Sequence, residues 1–320
     1  MRIRHLTFRL LEVYVAVVRT GTVTAAAQQL HLSQPTVSQQ LKRLAETVGE
    51  PLFSNGHRGL ELTDVGRELY RSALDVTGRF EDFADYLAEL RGGHRGRFSI
   101  ALVNTAQYVL PRLLGPYSQA FPEVELTLEI GNRQQLLQRF EQQLDDVYVF
   151  SHPPALEQAV AARFLRNPLV MIAPEQHPLA RKEHLTIHDL KQERFLLREP
   201  GSATRMLFES WLHAQGVQLS DTLQMASNEA IRVGVSSGMG LAVVSRHVLP
   251  QQHPGIVVLP LQQFPLDSHW HFIIRRDRRL PHAARGFLEY AAGSLEQWLP
   301  DEYVCNEIER LFSQTQADKA

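Results

Sequence analysis

The chain has 320 residues, 44% apolar and 21% charged, with a formal net charge of −2 and one cysteine, Cys305. That length supports two or three domains with full cores, and the single cysteine excludes an internal disulfide framework and fits a reducing compartment. Near-neutral charge excludes a protein that coats nucleic acid by bulk attraction, so any DNA contact must be local. No apolar run resembling a signal peptide follows Arg2, Arg4 and Arg9, and no later stretch has the length of a membrane span. A cytoplasmic protein with no membrane contact is expected. Residues 1–62 hold seven Lys and Arg against four Glu, so a mildly basic module precedes an acidic remainder.

Residues 5–20 carry Leu6, Leu10, Tyr14, Val17 and Val18 near one face, with Gly21 placed to stop a helix. The run from Val23 to Leu44 reads as two short helices joined by a tight turn, the helix-turn-helix geometry that lays its second helix in the DNA major groove. Ala25, Ala26 and Ala27 let the helices approach, Ser33 is placed to cap the second, and Pro35 is tolerated in its first turn. Val37, Leu41, Leu44 and Val48 then form one buried stripe. That stripe turns Pro35, Gln39 and Lys42 outward, with Gln34, Thr36, Ser38 and Arg43 on the shoulders. Together with Ser33 these are the candidate DNA-binding residues: amides and hydroxyls match base edges, Lys and Arg neutralise phosphate, and no carboxylate lies between Ser33 and Glu46. A solvated helix face would share the amphipathic spacing but has no reason to combine it with the cap, the small residues and the absence of acid.

Pro51–Leu62 reads as two short strands around a Gly-punctuated turn, either a connecting hairpin or a wing that lays Asn55, His57 and Arg58 along the DNA. Thr63 is placed as the N-cap of a long helix to about Leu90. Leu69, Ala73, Val76, Phe80, Phe83, Leu87 and Leu90 recur along it as a heptad seam, which calls for a partner helix and suits the two-fold symmetry of operators. Arg91–Gly96 reads as a hinge.

From Arg97 strands alternate with helices, the signature of an α/β domain. Strands are expected at Phe98–Val103, Glu125–Ile130, Asp146–Phe150, Leu169–Ala173, Phe195–Leu197, Thr222–Ala226, Leu241–Ser245 and His271–Arg275. Helices are expected to about Phe121, over Gln134–Gln143, to about Gln215, over Ala230–Ser236 and over Pro281–Leu299, with a frayed tail after Gln314. Several strands end in a hydroxyl, amide or glycine at the start of a helix: Asn104-Thr105, Gly131-Asn132, Gly201-Ser202-Ala203-Thr204 and Ser227-Asn228. Ligands of open α/β sheets bind at such ends, where free N–H groups and the helix dipole favour anions. With Arg133 and Arg205 nearby, these residues outline a cleft for a small anion between two lobes. Each end taken singly is only a helix cap; the recurrence in both lobes carries the reading.

No nucleophile elbow, phosphate loop or zinc signature is present. His184 with His188, and His269 with His271, could each supply two metal ligands, but no Cys or carboxylate arrangement joins them. Neither a metal, a cofactor nor a catalytic residue is therefore assigned, and Glu199 and Arg205 are read as orienting the ligand or each other.

The ordered set Thr20-Gly-Thr, Ala26-Ala27, Leu30, Ser33-Gln-Pro, Val37-Ser38, Leu41, Leu44, Gly49, Leu52-Phe53, Leu62-Thr63 and Gly66 resembles the LysR-type transcriptional regulators, and the likeness extends over nearly the whole chain. Departures fall at Gln39, where Arg is common, at Ser54-Asn55, and at Ala45. The resemblance implies a winged helix-turn-helix over 1–62, a dimerising linker helix over 63–91 and a hinge over 92–96. A two-lobed α/β effector-binding domain of periplasmic-binding-protein type over 97–300 follows, with lobe I about 97–166 and 271–300, lobe II about 167–270, and a C-terminal extension over 301–320. It also implies promoter DNA as partner, a homodimer assembling to a homotetramer, and a small effector held by Asn104, Thr105, Asn132, Ser202, Thr204 and Asn228, to which Arg133, Gly201 and Arg205 are added from the residues themselves. RNA polymerase is a further candidate partner. Leu197–Arg205, Ser227–Ile231 and Gly238–Leu241 are similar to the branch that regulates carbon-dioxide-fixation operons. A cytoplasmic anion-binding protein or an α/β enzyme without a DNA role is the alternative.

Overall fold

The computed structural model describes residues 5–56, 59–90 and 95–317. His57, Arg58 and most of the 92–96 hinge lie outside the described residues, as does the side chain of Leu90. The chain forms two compact units, residues 1–93 and 94–320.

The first unit opens with α1 (Phe8–Thr20), α2 (Val23–Gln29) and α3 (Gln34–Val48). Each starts on a hydroxyl that accepts a first-turn N–H: Thr7, Thr22 and Ser33. Gly21 at φ 73° and Gly49 at φ 87° end α1 and α3 in the left-handed conformation that glycine adopts without strain. Ala26 and Ala27 sit in one buried cluster with Val13, Ala16, Val17 and Val37, so small side chains do bring the three helices together. A hairpin of β1 (Phe53–Gly56) and β2 (Gly59–Leu62) leads into α4 (Asp64–Leu90), where the Thr63 hydroxyl accepts from Gly66 N at 2.9 Å.

The heptad seam divides in two. Ala73 is fully buried in the unit's own core beside Leu10, Tyr14, Leu44 and Tyr70, and Leu69 packs on the same cluster, so neither is free for a partner helix. Val76, Phe80, Phe83 and Leu87 remain exposed, Phe80 and Phe83 by 61% and 57%. A periodic stripe shows that a helix buries a face; it does not show against what.

In the second unit, β3 (Gly96–Val103), β4 (Val124–Gly131), β5 (Val147–Phe150), β6 (Ala159–Arg166) and β12 (His269–Arg275) form a five-stranded sheet in the order β4-β3-β5-β12-β6. Around it pack α5 (Pro111–Ala120), α6 (Arg133–Glu141) and α9 (His282–Trp298). This is lobe I. Lobe II holds β7 (Leu169–Pro174), β10 (Ala242–Ser245) and β11 (Ile256–Val258), with the parallel pair β8 (Arg194–Leu197) and β9 (Asp221–Gln224). Leu196 N to Leu241 O and Leu241 N to Arg194 O, both 2.8 Å, join that pair to the residue preceding β10. The helices α7 (Ala203–Ala214) and α8 (Asn228–Ser236) complete lobe II. The chain crosses between lobes twice, and the crossings are tied by Asn167 N to Ser268 O at 2.7 Å.

Strands β6 and β11 were not expected from the sequence. Nor was α10 (Glu309–Ala317), which carries the backbone as helix beyond Gln314. The segment set apart after residue 300 is part of lobe I: Ile308 and Leu311 are fully buried in its core, and Val304 bridges Leu165 on β6. Among the described residues no single helix is long and apolar enough to cross a membrane.

Gly66 has no room for a side chain, because a Cβ there would overlap the Leu52 carbonyl and press on the Tyr14 hydroxyl, which itself donates to Gly66 O at 2.7 Å. Gly66→Ala is expected to destabilise the first unit by about 2–3 kcal/mol. Gly78→Ala, in the same helix with nothing near its Cβ, should be stabilising by up to about 1 kcal/mol. Denaturant unfolding of the full chain checks both.

Candidate functional site

Helix α3 is capped by Ser33, whose Oγ accepts from Thr36 N at 3.3 Å and lies 2.8 Å from Thr36 Oγ1. Both hydroxyls are thereby engaged at the helix start. With Val37 and Leu44 buried, Gln34, Pro35, Ser38, Gln39, Lys42 and Arg43 are all exposed, and Thr36 is half-buried. No acid occurs in the first turn, and Lys42 lies 4.0 Å from Glu46 with both side chains largely in solvent, a contact too open to hold the cation. The face therefore presents amides, a hydroxyl and two free cations on one side of a rigid helix.

The second constellation lies where lobe I meets lobe II. Helix α6 begins with a capping box: Asn132 Oδ1 accepts from Gln135 N at 3.0 Å, and Gln135 Oε1 accepts from Asn132 N at 2.8 Å. Arg133 occupies its first position, a place where the helix dipole disfavours a cation. Its Nε is buried without a partner, and burial lowers its pKa. Across the gap, Gln134 N donates to Gly201 O at 3.3 Å, and Asn132 Nδ2 to Glu199 Oε1 at 3.4 Å. Gly201 adopts φ 88°, and a Cβ there would come within 2.8 Å of Gln134 Oε1, so the lobes approach through a residue without a side chain.

Ser202 and Thr204 are buried at the start of α7, yet the Ser202 side chain makes no cap bond. Thr105 is buried at the end of β3, where Asn104 N donates to Gly131 O at 2.9 Å. Asn228 opens α8, buried, with Nδ2 lacking a partner. Tyr108, also from lobe I, has its hydroxyl pushed up by burial and by Glu229, against Arg198 and Arg232. It stays a neutral donor.

Two expectations change. Arg205 is tied within lobe II and not to Glu199: its Nε donates to Glu209 at 2.7 Å and its Nη1 to the Arg198 carbonyl at 3.0 Å. Glu199 pairs with Arg198 instead. Arg198, which sequence reasoning missed, has a side chain only 3% exposed; its Nε and Nη2 donate to the two oxygens of Glu199 at 2.8 and 2.9 Å, and its Nη1 donates to Asn228 Oδ1. The available signal was an Arg-Glu pair directly after the apolar Phe195-Leu-Leu197, but Arg194 directly before that run is exposed, so the pattern does not say which arginine turns inward.

The histidine pairs do not develop into metal centres: no three His, Cys, Asp or Glu converge among the described residues. His271 lies in β12 with burial lowering its pKa to about 4, and His269 lies 3.9 Å from Asp267.

A family model described as LysR substrate binding domain matches residues 91–296, and one described as bacterial regulatory helix-turn-helix protein, lysR family, matches residues 8–67. The chain is 36% identical over 289 residues to the HTH-type transcriptional activator CmpR of Synechocystis sp., covering 90% of this chain and 95% of that protein. It is 35% identical to the RuBisCO operon transcriptional regulator of Acidithiobacillus ferrooxidans, covering 91% and 94%. Among solved structures, the regulatory domain of Synechocystis PCC6803 CcmR in complex with 2-PG matches with a TM-score of 0.59 at 35% identity, covering 61% of this chain and 95% of that one.

Removing one partner of the Arg198–Glu199 pair leaves a buried charge alone. Arg198→Met is expected to destabilise the second unit by about 3 kcal/mol, and adding Glu199→Met should recover most of it. A double-mutant cycle of urea unfolding reads both steps.

Proposed function

The chain belongs to the LysR family of bacterial transcriptional regulators, and we propose that it reads promoter DNA with α3 and answers to a small anion held between lobes I and II. On DNA, Gln34, Ser38 and Gln39 contact base edges, while Thr36, Lys42 and Arg43 hold phosphates. Ser33 and Pro35 set the start of the helix, and His57 and Arg58 extend the contact through the wing. Operators of dimeric regulators are two-fold sites, and the exposed Val76, Phe80, Phe83 and Leu87 of α4 supply the apolar stripe for a homodimer, which assembles further to a tetramer. Contact with RNA polymerase, a cytoplasmic location and the lack of any catalytic role belong to the same reading.

One observation carries the effector assignment: the polar groups left without protein partners at the cleft are donors. They are Arg133 Nε, Asn228 Nδ2 and the uncapped start of α7 with Ser202. An anion's oxygens would complete all of them, and Asn104, Thr105, Asn132, Gly201 and Thr204 line the same space. The relative that binds 2-PG and those named for RuBisCO operons support an acidic metabolite of carbon fixation as effector and a carbon-fixation operon as target. The deciding experiment is footprinting of the purified chain upstream of its own gene and neighbours, with random competitor, with and without 2-PG and other small anions. A protected two-fold site whose extent shifts with one anion is expected; no protection beyond random DNA would reduce the protein to an anion binder.

Gln39→Ala should relax base preference at one position. Lys42→Ala should weaken binding to every sequence and lower the salt slope by about 1. Thr204→Val should abolish the anion response while DNA binding stays intact, measured by the same footprint.

A further inference from the structure

A guanidinium carries five N–H donors and no acceptor. The atom of Asn228 that meets Arg198 Nη1 must therefore be its oxygen, which fixes the amide in one of its two orientations. The nitrogen is then turned away from Arg198, and it is buried without a partner in a residue only 5% exposed. Arg198 cannot swing aside to relax this, because Nε and Nη2 are both held by Glu199. Glu199 in turn accepts from Asn132 of lobe I. A single chain of bonds, Asn132 to Glu199 to Arg198 to Asn228, thus runs from one lobe to the far side of the cleft.

We infer that Arg198 is a positioning residue that locks the Asn228 amide as an obligatory donor, so that the cleft takes ligands presenting an acceptor oxygen at that point and rejects those presenting a donor. This rests on the anion-cleft reading above. Each nitrogen of Arg198 already has a protein partner, three of its five N–H groups being engaged, and its charge is set against Glu199, so its role here is to orient Asn228. The ligand's charge is met elsewhere, at Arg133 and the start of α7.

The test is calorimetric titration of the full chain with 2-PG. Asn228→Ala should lose about ten- to a hundredfold in affinity, the worth of a hydrogen bond to a charged group. Arg198→Lys, which cannot hold Glu199 in a fork and reach Asn228 together, should lose a similar factor. In the Arg198→Lys background, Asn228→Ala should then cost less than about threefold, because the orientation it removes is already gone. Additive losses would overturn the inference. A second variant does not depend on Arg198 folding well without its fork. Asn228→Asp keeps an acceptor for Arg198 but offers the cleft no donor, so melting temperature should hold or rise while 2-PG affinity falls more than about tenfold. Affinity retained within about threefold would assign Asn228 a purely structural role and overturn the proposal. If the unaltered chain bound neither 2-PG nor any other small anion, the cleft reading itself would fall and the positioning role with it.

Discussion

A guanidinium folded into an interior needs an acceptor for each of its nitrogens, and the end of lobe II that meets lobe I is arranged around meeting that need for Arg198. Strand β8 ends in Phe195, Leu196 and Leu197, all buried, and Arg198 directly after them is buried too. The adjacent Glu199 supplies two oxygens, Asn228 supplies a third, and the Arg198 carbonyl is held by Arg205. Gly201 then reverses the chain at φ 88°. The loop is thereby fixed at one end by charge and at the other by a left-handed turn. It delivers Ser202 and Thr204 to the start of α7 with little freedom left in the backbone.

The first unit solves a different problem. A recognition helix must show a polar face outward without losing its footing, so its core contacts have to be few and close. Val37 and Leu44 anchor α3, Ala26 and Ala27 admit it close to α2 and α1, and caps at Ser33 and Gly49 hold its ends. Gln34, Ser38, Gln39, Lys42 and Arg43 take no part in that core. Their identities can answer to DNA alone, because folding makes no demand on them. The start of α4 belongs to the same core, whereas its later turns carry aromatics that stay largely exposed, Phe80 meeting the Phe8 ring edge-on with centroids 5.2 Å apart.

Sequence pattern reached the features governed by local rules. Caps, left-handed glycines, the helix-turn-helix and most strands follow from residue type and period within a few positions of each other. The misses have a common cause: each depends on a distant partner. Ala159-Val-Ala-Ala-Arg-Phe-Leu-Arg166 has an alanine-rich, charged composition that does not advertise a strand, and it is one because β12 pairs along its whole length. Ile308 and Leu311 fall in a stretch read as a separate C-terminal extension until lobe I is present to bury them. Ala73 has seam spacing, but the head reaches it first. At the cleft, the hydroxyls and amides at strand ends were legible, while the pairing of Arg198 rather than Arg205 with Glu199 was not. Spacing along one chain does not say which of two arginines the fold turns inward.

The cleft also stands out by where local rules are broken. Other α-helices whose cap residue carries a hydroxyl or amide are satisfied: Thr7, Thr22, Ser33, Asn132 and Ser227 each accept a first-turn N–H, while α5 and α9 start on Leu110 and Pro281, which have no capping group to offer. Ser202 does not, Arg133 places a cation where the dipole opposes it, and Asn228 keeps a buried donor without an acceptor. Each departure costs stability by itself. They converge on two facing lobes and share one sign, an excess of donor over acceptor. Trp270 Nε1 and His271 Nδ1 of β12 are also buried without a partner, so an unpaired nitrogen alone does not mark the cleft; what marks it is three such departures where the two lobes meet. Under the proposed anion reading, one missing acceptor accounts for the three cleft departures together, and a sequence that agrees with its fold elsewhere is expected to depart from it where a ligand completes the structure.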